Sequence, residues 1–275
     1  MRSFDYSWIG KTSWDTDILN LVEKIHVYEQ LPDRLCHDSV LPVSLVETAV
    51  CQSTESSNRI EGIVTTDSRM KVLLQGDAEP VNLEEEEIMG YWDVLNTINE
   101  NYAYIPVRRS YILQLHRDLL KRTSLSFGGH FKNVQNYIKG TRPDGTTVTL
   151  FTPVAPYETP EAIDRLCAAY EQAVANDSID PLLLIPAFII DFLCIHPFND
   201  GNGRMSRLLT LLLLYQNGYS IGKYISIEKQ IEDTKESYYA ALAASDLNWQ
   251  DEKNDYIPFI RYMLEVIVAC YEKLG

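Results

Sequence analysis

The sequence is poor in positive charge and in paired cysteines, and each shortage excludes a class of protein. Its 24 lysines and arginines face 39 aspartates and glutamates, which gives a formal net charge of −15 at pH 7. Because such a charge repels phosphate backbones and no basic stripe interrupts it, we expect no nucleic-acid binding. The cysteines are odd in number, widely spaced and without a CxxC pair: Cys36, Cys51, Cys167, Cys194 and Cys270. This pattern predicts free thiols in the cytoplasm rather than disulfides or a zinc site.

Long hydrophobic runs are also scarce. The most apolar stretch, residues 181–195, contains Pro186 and Asp191 and is too short and too interrupted to span a bilayer. Residues 1–11 are mixed and polar, which is not the pattern of a signal peptide. We therefore expect a cytoplasmic protein without a membrane partner, in which residues 181–195 form a core helix that delivers His196.

Helical spacing dominates the chain, and no repeat or low-complexity segment interrupts it. The predicted helices include residues 18–25, 42–53, 107–121, 160–175 and 203–216. Ser13 is the expected cap of the first helix, Pro42 suits the first turn of the second, and Gly218 closes the last. Asn82 followed by residues 83–87 predicts a cap and an acidic first turn, which we expect to be solvated.

One segment, residues 196–207, concentrates groups that act on phosphate. It reads H-P-F-N-D-G-N-G-R-M-S-R and leads directly into an apolar helical run. Gly201 and Gly203 allow positive φ, so consecutive backbone N–H groups can point into one concavity at a helix N-terminus, which suits phosphate. Arg204 and Arg207 share a face of that helix because they stand three residues apart.

Two further side chains of this segment supply a metal ligand and a base. Asp200 is a hard oxygen ligand beside the turn, where Mg²⁺ could bridge its carboxylate and phosphate oxygens. His196 can act as a general base near neutral pH. A lone histidine or a lone glycine-rich turn is more often structural, but their combination in one short segment predicts a polyphosphate site.

Residues 196–207 resemble the signature of the Fic family, H-P-F-x-[DE]-G-N-G-R-x-x-R, at every defined position. The resemblance implies transfer of AMP from ATP to a protein hydroxyl, with release of pyrophosphate. His196 would then deprotonate the target Ser, Thr or Tyr, and Asp200 would hold Mg²⁺. The phosphate contacts would come from Gly201, Asn202, Gly203, Arg204 and Arg207. Because family members that act as kinases carry lysine at the place of Gly203, the glycine favours AMP transfer.

A second element, residues 57–62, reads S-N-R-I-E-G and by itself only predicts a helix that ends at Gly62. Beside the signature it resembles the family's inhibitory motif, [ST]-x-x-x-E-[GN]. The resemblance implies that Glu61 pairs with Arg207, neutralises it and repels ATP, while Ser57 holds the motif by hydrogen bonding. It also places the chain in the self-inhibited class, with the inhibitory motif N-terminal to the core.

A third stretch predicts a β-hairpin. Residues 142–145, R-P-D-G, are a strong turn signal between strand-type residues at 137–138 and 148–151. An ordinary surface hairpin would show the same pattern. The resemblance instead identifies residues 137–152 as the family's flap, whose exposed edge aligns a target segment by strand pairing. It implies that four flap residues also line the nucleotide site: Ile138, Lys139, Gly140 and Thr141.

Two tyrosines in the C-terminal third resemble those that pack near adenine and ribose in this family. Tyr238 and Tyr239 can stack on a base, or they can anchor their helix in the core. Adjacent helical residues point about 100° apart, so we expect only one of them to face the nucleotide.

These features together predict a mainly α-helical Fic fold, a helical bundle with a β-hairpin flap. We expect an N-terminal helical lobe over residues 1–105 and a Fic core over residues 106–275. The expected function is self-inhibited protein adenylylation with MgATP, on a protein partner docked at the flap. A homodimer is left open. Two alternatives remain: removal of AMP with Glu61 positioning a water, and a non-catalytic module that binds nucleotide and recruits a peptide.

Overall fold

The computed structural model describes residues 2–29, 43–141 and 145–274, and helices dominate these ranges. The N-terminal helices are α1 (Thr16–Tyr28), α2 (Val43–Ile60), α3 (Asp67–Leu74), α4 (Leu83–Asn101) and α5 (Arg109–Leu120). An antiparallel hairpin follows, formed by β1 (Ile138–Thr141) and β2 (Thr147–Phe151). The C-terminal helices are α6 (Thr159–Val174), α7 (Pro181–Ile195), α8 (Asn202–Gln216), α9 (Ile227–Asp233), α10 (Lys235–Asp246) and α11 (Ile257–Leu274). The predicted class, mainly α with a β-hairpin, is confirmed.

Several helix ends lie where the sequence predicts caps. The Asn82 side chain accepts a hydrogen bond from the Glu85 amide and begins α4. Gly218, at φ 91°, follows α8. The start of α1 differs from the prediction, because Asp15, not Ser13, accepts from the Ile18 amide at 2.9 Å. Asp15 is the better-placed cap because it directly precedes the first helical residue.

Four sequence predictions fall partly or wholly outside the described part of the chain. These are the helix start at Pro42, the turn residues 142–144, the free thiol of Cys36 and the side chain of Thr141 at the nucleotide site. The four described cysteines are free: Cys51, Cys167, Cys194 and Cys270.

The acidic start of α4 is only partly solvated, contrary to the prediction, because Glu84 is exposed but Glu85 and Glu87 are buried. Glu85 and Glu87 are 2% and 6% exposed. Arg69 donates to both carboxylate oxygens of Glu85, at 2.9 and 2.7 Å, and Arg204 donates to Glu87 at 2.7 Å. The local sequence does not indicate this burial, because the arginines that pair with Glu85 and Glu87 lie 16 and 117 residues away along the chain.

The centre of the fold is the antiparallel pair α7 and α8. Nearly every side chain of α7 is buried, and a helix that is apolar all round needs neighbours on every side. Those neighbours are α6, α8, α10 and α11, while α2 and α4 cover α8. Among the described residues, no helix combines the length and the apolar character that a bilayer-spanning segment needs. Because α7 ends at Ile195 and α8 begins at Asn202, residues 196–201 of the signature form the turn between two core helices, and the remainder of the signature begins α8.

Candidate active site

His196 stands at the end of α7 with a left-handed backbone, at φ 50° and ψ 62°. Its ring Nδ1 lies 3.3 Å from the Leu193 carbonyl oxygen. A proton on Nδ1 therefore donates to that carbonyl and leaves Nε2 as the acceptor. Burial, followed by the positive charge of Lys132, lowers the pKa of His196 to about 4. The imidazole is thus neutral at pH 7 and able to take up a proton.

The signature turn is closed by its own polar groups. The Phe198 amide donates to Asn202 Oδ1 at 2.9 Å, and Asn202 Nδ2 donates to the Phe198 carbonyl at 2.9 Å. Gly201 has the positive φ that the sequence predicts, at 80°, and is the N-cap of α8. Gly203 has no positive φ and lies inside α8, so the expectation of a second left-handed glycine is wrong. A Cβ at Gly203 would overlap the Glu61 carboxylate, so a larger residue at this position would require that carboxylate to move.

Arg207 is buried, and its guanidinium is held by the C-terminal end of α2. Nη2 donates to Glu61 Oε1 at 2.7 Å and to the Ser57 carbonyl at 2.8 Å. Nε donates to Ser57 Oγ at 2.8 Å. Burial pushes the pKa of Glu61 up, but the charge and hydrogen bond of Arg207 outweigh it and leave that pKa below its ordinary value. Gly62, at φ 82°, turns the chain away directly after this contact.

Arg204 has different partners, although it shares a helix face with Arg207. Its Nη2 donates to Glu87 at 2.7 Å and lies 3.6 Å from Asp200 Oδ2. Within the described residues, Nε and Nη1 of Arg204 have no hydrogen-bond partner. Arg204 therefore stabilises the turn through its contact with the buried Glu87 and does not line the cavity.

Asp200 lies at the exposed edge of the turn, with its side chain 58% accessible. Its Oδ1 accepts from the Gly201 amide at 2.7 Å, and Oδ2 faces solvent and Arg204. Magnesium is commonly held by one or two carboxylates together with substrate phosphates and water. A single exposed carboxylate beside a helix N-terminus fits a Mg²⁺ that arrives with a nucleotide. The described residues contain no cluster of three histidines, cysteines or acids that would hold a metal by itself.

A cavity of about 660 Å³ opens between the hairpin, α2, α7, α8 and α10. This volume is within the usual range for small-molecule sites. The predicted residues on its wall are Glu61, Ile138, Lys139, His196, Gly203, Arg207, Tyr238 and Tyr239. The wall does not include Asp200, Gly201, Asn202, Arg204 or Gly140. The His196 imidazole, the Arg207 guanidinium and the rings of Tyr238 and Tyr239 thus face one cavity, and the other predicted residues of the signature are not part of its wall.

Both tyrosines line this cavity, although we expected only one to do so. Tyr238 is buried and Tyr239 is half-exposed, with ring centroids 5.3 Å apart. Both reach the cavity because its wall covers a stripe two residues wide, formed by Tyr238, Tyr239, Leu242, Ala243, Asp246 and Leu247. Near its end lies Asp246, whose pKa burial raises to about 6.

Sequence reasoning missed both Glu87 and Asp246. An acidic residue in the last turn of a helix opposes the helix dipole, so Asp246 carries a local signal that could have been noticed. Glu87 carries no such signal, because an acidic residue near a helix start is ordinary.

The hairpin confirms the predicted strands and places their inner ends at the cavity. Lys139 pairs with Thr149 and Gly140 with Val148, with an irregularity between Ile138 and Lys139. Tyr137, which the sequence includes in the first strand, precedes it.

Comparison with known proteins identifies the fold and the signature together. A model of the Fic/DOC family matches residues 106–214, which span the hairpin and the whole signature turn. The chain carries a Fic/DOC domain. The chain resembles the protein adenylyltransferase Fic of Drosophila grimshawi, at 27% identity over 215 residues. The protein of the same name from Drosophila melanogaster is 28% identical over 222 residues.

These alignments cover 77% and 78% of this chain but only 38% and 39% of the fly proteins. The chain therefore spans less than half the length of the curated relatives it matches. A Fic family protein from Desulfovibrio desulfuricans superposes with a TM-score of 0.78 at 22% identity, over 96% of this chain and 75% of that one. A Fic domain containing signaling protein from Bacteroides thetaiotaomicron gives 0.72 at 22% identity, over 94% and 95%. The likeness of fold thus extends well beyond the matched Fic domain, into the helices that precede it.

Proposed function

We propose that the chain is a protein adenylyltransferase, which moves AMP from ATP to a hydroxyl of a protein target and releases pyrophosphate. One observation carries the proposal: the turn of residues 196–201 and the first residues of α8 set His196 and Arg207 on the wall of one nucleotide-sized cavity. The Fic/DOC match and the adenylyltransferase relatives support this reaction type.

In this proposal His196 accepts the proton of the target hydroxyl at Nε2, while Nδ1 remains bound to the Leu193 carbonyl. The hydroxyl oxygen attacks the α-phosphate, and the bond from the α-phosphorus to the bridging oxygen breaks. Charge on the leaving pyrophosphate is stabilised by Arg207 and by the unpaired amides at the N-terminus of α8. Asp200 would hold Mg²⁺, which neutralises phosphate charge when bound.

Arg204 and Asn202 stabilise the signature turn, although neither residue lines the cavity. Asn202 keeps the turn closed through Phe198, and the charge of Arg204 lies one helical turn from the α8 N-terminus. The hairpin would act as the flap, with Ile138 and Lys139 over the nucleotide and its strand edge offered to an extended target segment. The division into a lobe of residues 1–105 and a core of residues 106–275 belongs to this proposal.

Glu61 acts as a brake in this scheme. Its carboxylate contacts Arg207 and overlies Gly203, where a polyphosphate would need the guanidinium and the helix amides. A negative charge at that place repels the charge of ATP and occupies its cation. Ser57, through two hydrogen bonds to Arg207, holds the end of α2 against the site.

The decisive experiment supplies Mg²⁺ and ATP labelled at the α-phosphate to wild type, Glu61→Gly and Glu61→Gly/His196→Ala, each with a target-rich lysate. We expect labelled protein with Glu61→Gly, far less with wild type, and none with the double variant. The reason is that the first change frees Arg207 and the second removes the base. Absence of label in all three samples would contradict the transfer reaction, and equal label with and without His196 would contradict its role.

A second candidate, removal of AMP, is favoured by the position of Glu61 on the same cavity wall as His196. A carboxylate there can position a water for attack on a phosphodiester. The test uses a target first modified by Glu61→Gly and then incubated with wild type and no ATP. AMP release that requires both Glu61 and His196 would support this activity. Tight ATP binding without transfer or release would indicate the non-catalytic module instead.

A further inference from the structure

The turn that carries His196 is held from outside by the pre-flap segment, which we define as residues 128–137. Lys132 makes two contacts with the turn and one with its own segment. Its Nζ donates to the Ile195 carbonyl at 2.9 Å and to Asn136 Oδ1 at 3.0 Å. Its backbone amide donates to the Pro197 carbonyl at 2.8 Å. One residue thus binds the carbonyl groups on both sides of His196 along the chain.

Asn136 continues the same row of contacts. Its Nδ2 donates to the Phe198 carbonyl at 3.0 Å and lies 3.4 Å from the His196 carbonyl. His116 adds a support on the far side, since Nδ1 accepts from the Gly129 amide and the protonated Nε2 therefore donates to the Asp200 carbonyl at 3.1 Å. These hydrogen bonds fix the backbone on both sides of His196. They thereby hold His196 itself in the left-handed conformation, which costs free energy for a residue other than glycine.

The choice of lysine for this support needs an explanation. Lys132 is 2% exposed, and within the described residues no acidic side chain forms an ion pair with it. A buried cation without a counter-charge is expensive, and burial lowers the pKa of Lys132 to about 8. A neutral donor could tie the same carbonyls at less cost. What only the lysine adds is a positive charge beside His196.

We propose that Lys132 is a positioning residue for His196, which together with Asn136 sets the direction of the imidazole and links it to the flap. This inference rests on the proposed function, in which His196 is the base. The link runs through the chain itself, because Asn136 stands two residues before β1. Gln135 also donates to the Pro153 carbonyl at 3.0 Å, just beyond β2. A target segment that pairs with the flap would therefore act on the pre-flap segment, which orients His196.

The charge of Lys132 has a second consequence, which can be measured. The ionisable groups around His196 come from several elements: Lys132 from the pre-flap segment, Glu61 from α2, Asp200 from the turn, Lys139 from β1, Arg207 from α8, and Tyr238, Tyr239 and Asp246 from α10. Lys132 lowers the pKa of His196, whereas Glu61 and Asp200 raise it. Removal of the Lys132 charge must therefore raise the pKa of His196.

The test uses the uninhibited Glu61→Gly protein as parent and adds Lys132→Met, Lys132→Arg or Asn136→Ala. Lys24→Met, on the exposed face of α1, is the matched control. For Lys132→Met we expect kcat to fall by roughly 10- to 100-fold, because a small misplacement of a catalytic group has that effect, with KM for ATP unchanged. The acid limb of the kcat–pH profile should move to higher pH. Lys132→Arg should keep the limb in place and recover part of kcat.

Asn136→Ala loosens the turn that carries His196 but leaves the charge of Lys132 in place. It should therefore lower kcat without moving the acid limb of the kcat–pH profile. It also keeps the inference testable if Lys132→Met does not fold. Full kcat in both Lys132→Met and Asn136→Ala, or an unmoved limb in a folded Lys132→Met, would overturn the inference. If the parent itself transfers no AMP, the proposed function fails. The effect of Lys132 can then still be measured as the pKa of His196 by NMR of the imidazole, with His196→Ala for assignment. This pKa should be higher in Lys132→Met than in the parent.

Discussion

At the scale of single residues, the two arginines of the signature differ because their buried neighbours differ. Arg207 meets Glu61, whose carboxylate lines the cavity, and in the proposed function a phosphate would take the place of that carboxylate. Arg204 meets Glu87, which is buried on α4 and does not reach the cavity. The first pair is suited to exchange of partners, and the second is suited to holding the helix N-terminus in place.

Replacement of Glu87 by glutamine should destabilise the fold. It leaves the buried Arg204 guanidinium with only the more distant and exposed Asp200 carboxylate as counter-charge. Breaking one side of a buried ion pair costs about 3–5 kcal/mol. Urea unfolding at pH 7 measures the loss in free energy of unfolding. The control is Glu84→Gln, an exposed residue one turn earlier on α4, which should change that free energy little. An equal loss in both variants would contradict this account of Glu87.

At the scale of elements, the crossing of α4 and α5 determines where the signature turn is supported. Gly90 on α4 lies so close to the Leu119 carbonyl that a Cβ would overlap backbone atoms of α5. Helix α5 also carries His116, which donates to Asp200 and stacks on Phe198 with ring centroids 3.6 Å apart. The close approach at Gly90 thus places α5, and α5 in turn supports the turn.

Alanine at Gly90 should therefore lower stability, although alanine is the better helix former by about 1 kcal/mol. Forcing the two helices apart in a packed core costs roughly 1–3 kcal/mol, which exceeds that gain. Thermal unfolding compares Gly90→Ala with Thr97→Ala, a change on the exposed side of the same helix. If Gly90→Ala melts at the wild-type temperature or above it, the crossing is not set by this glycine.

At the scale of the whole molecule, one buried carboxylate joins parts of the chain that are far apart in sequence. Asp191 on α7 accepts hydrogen bonds from Tyr6 at 2.8 Å, Trp249 at 2.6 Å and Tyr256 at 2.9 Å. Arg2 lies 3.8 Å from it. Burial raises the pKa of Asp191, so these donors are what makes a charge acceptable inside the core. The N-terminal residues are thereby attached to the helix that presents His196.

Tyr6→Phe removes one of these donors without changing the packed volume. The free energy of unfolding should fall by roughly 1.5–3 kcal/mol, the usual effect of losing a hydrogen bond to a buried charged group. Denaturant unfolding measures the difference. Tyr104→Phe is the matched control, since Tyr104 is 81% exposed and its loss of a hydroxyl should have little effect. A neutral Tyr6→Phe would mean that Asp191 does not depend on this donor.

Much of the fold and of the cavity wall could be predicted because the signals are local. Caps such as Asn82, the hairpin around Gly145 and the turn from His196 to Arg207 each depend on a few consecutive residues. Short-range backbone preferences act on such segments directly. The contact of Glu61 with Arg207 was also expected, but from resemblance to a family rather than from any local pattern.

The mainly helical class, the hairpin and the group of side chains in the signature could be predicted from the sequence, because local periodicity and composition carry all three. The partner of each buried charged group depends on the packing of the helices: Glu87 for Arg204, Tyr6 for Asp191, and the Ile195 carbonyl for Lys132. These partners lie between 63 and 185 residues apart. Contacts over such separations depend on how helices pack, and the energy of a buried charge depends on every group that packing places around it.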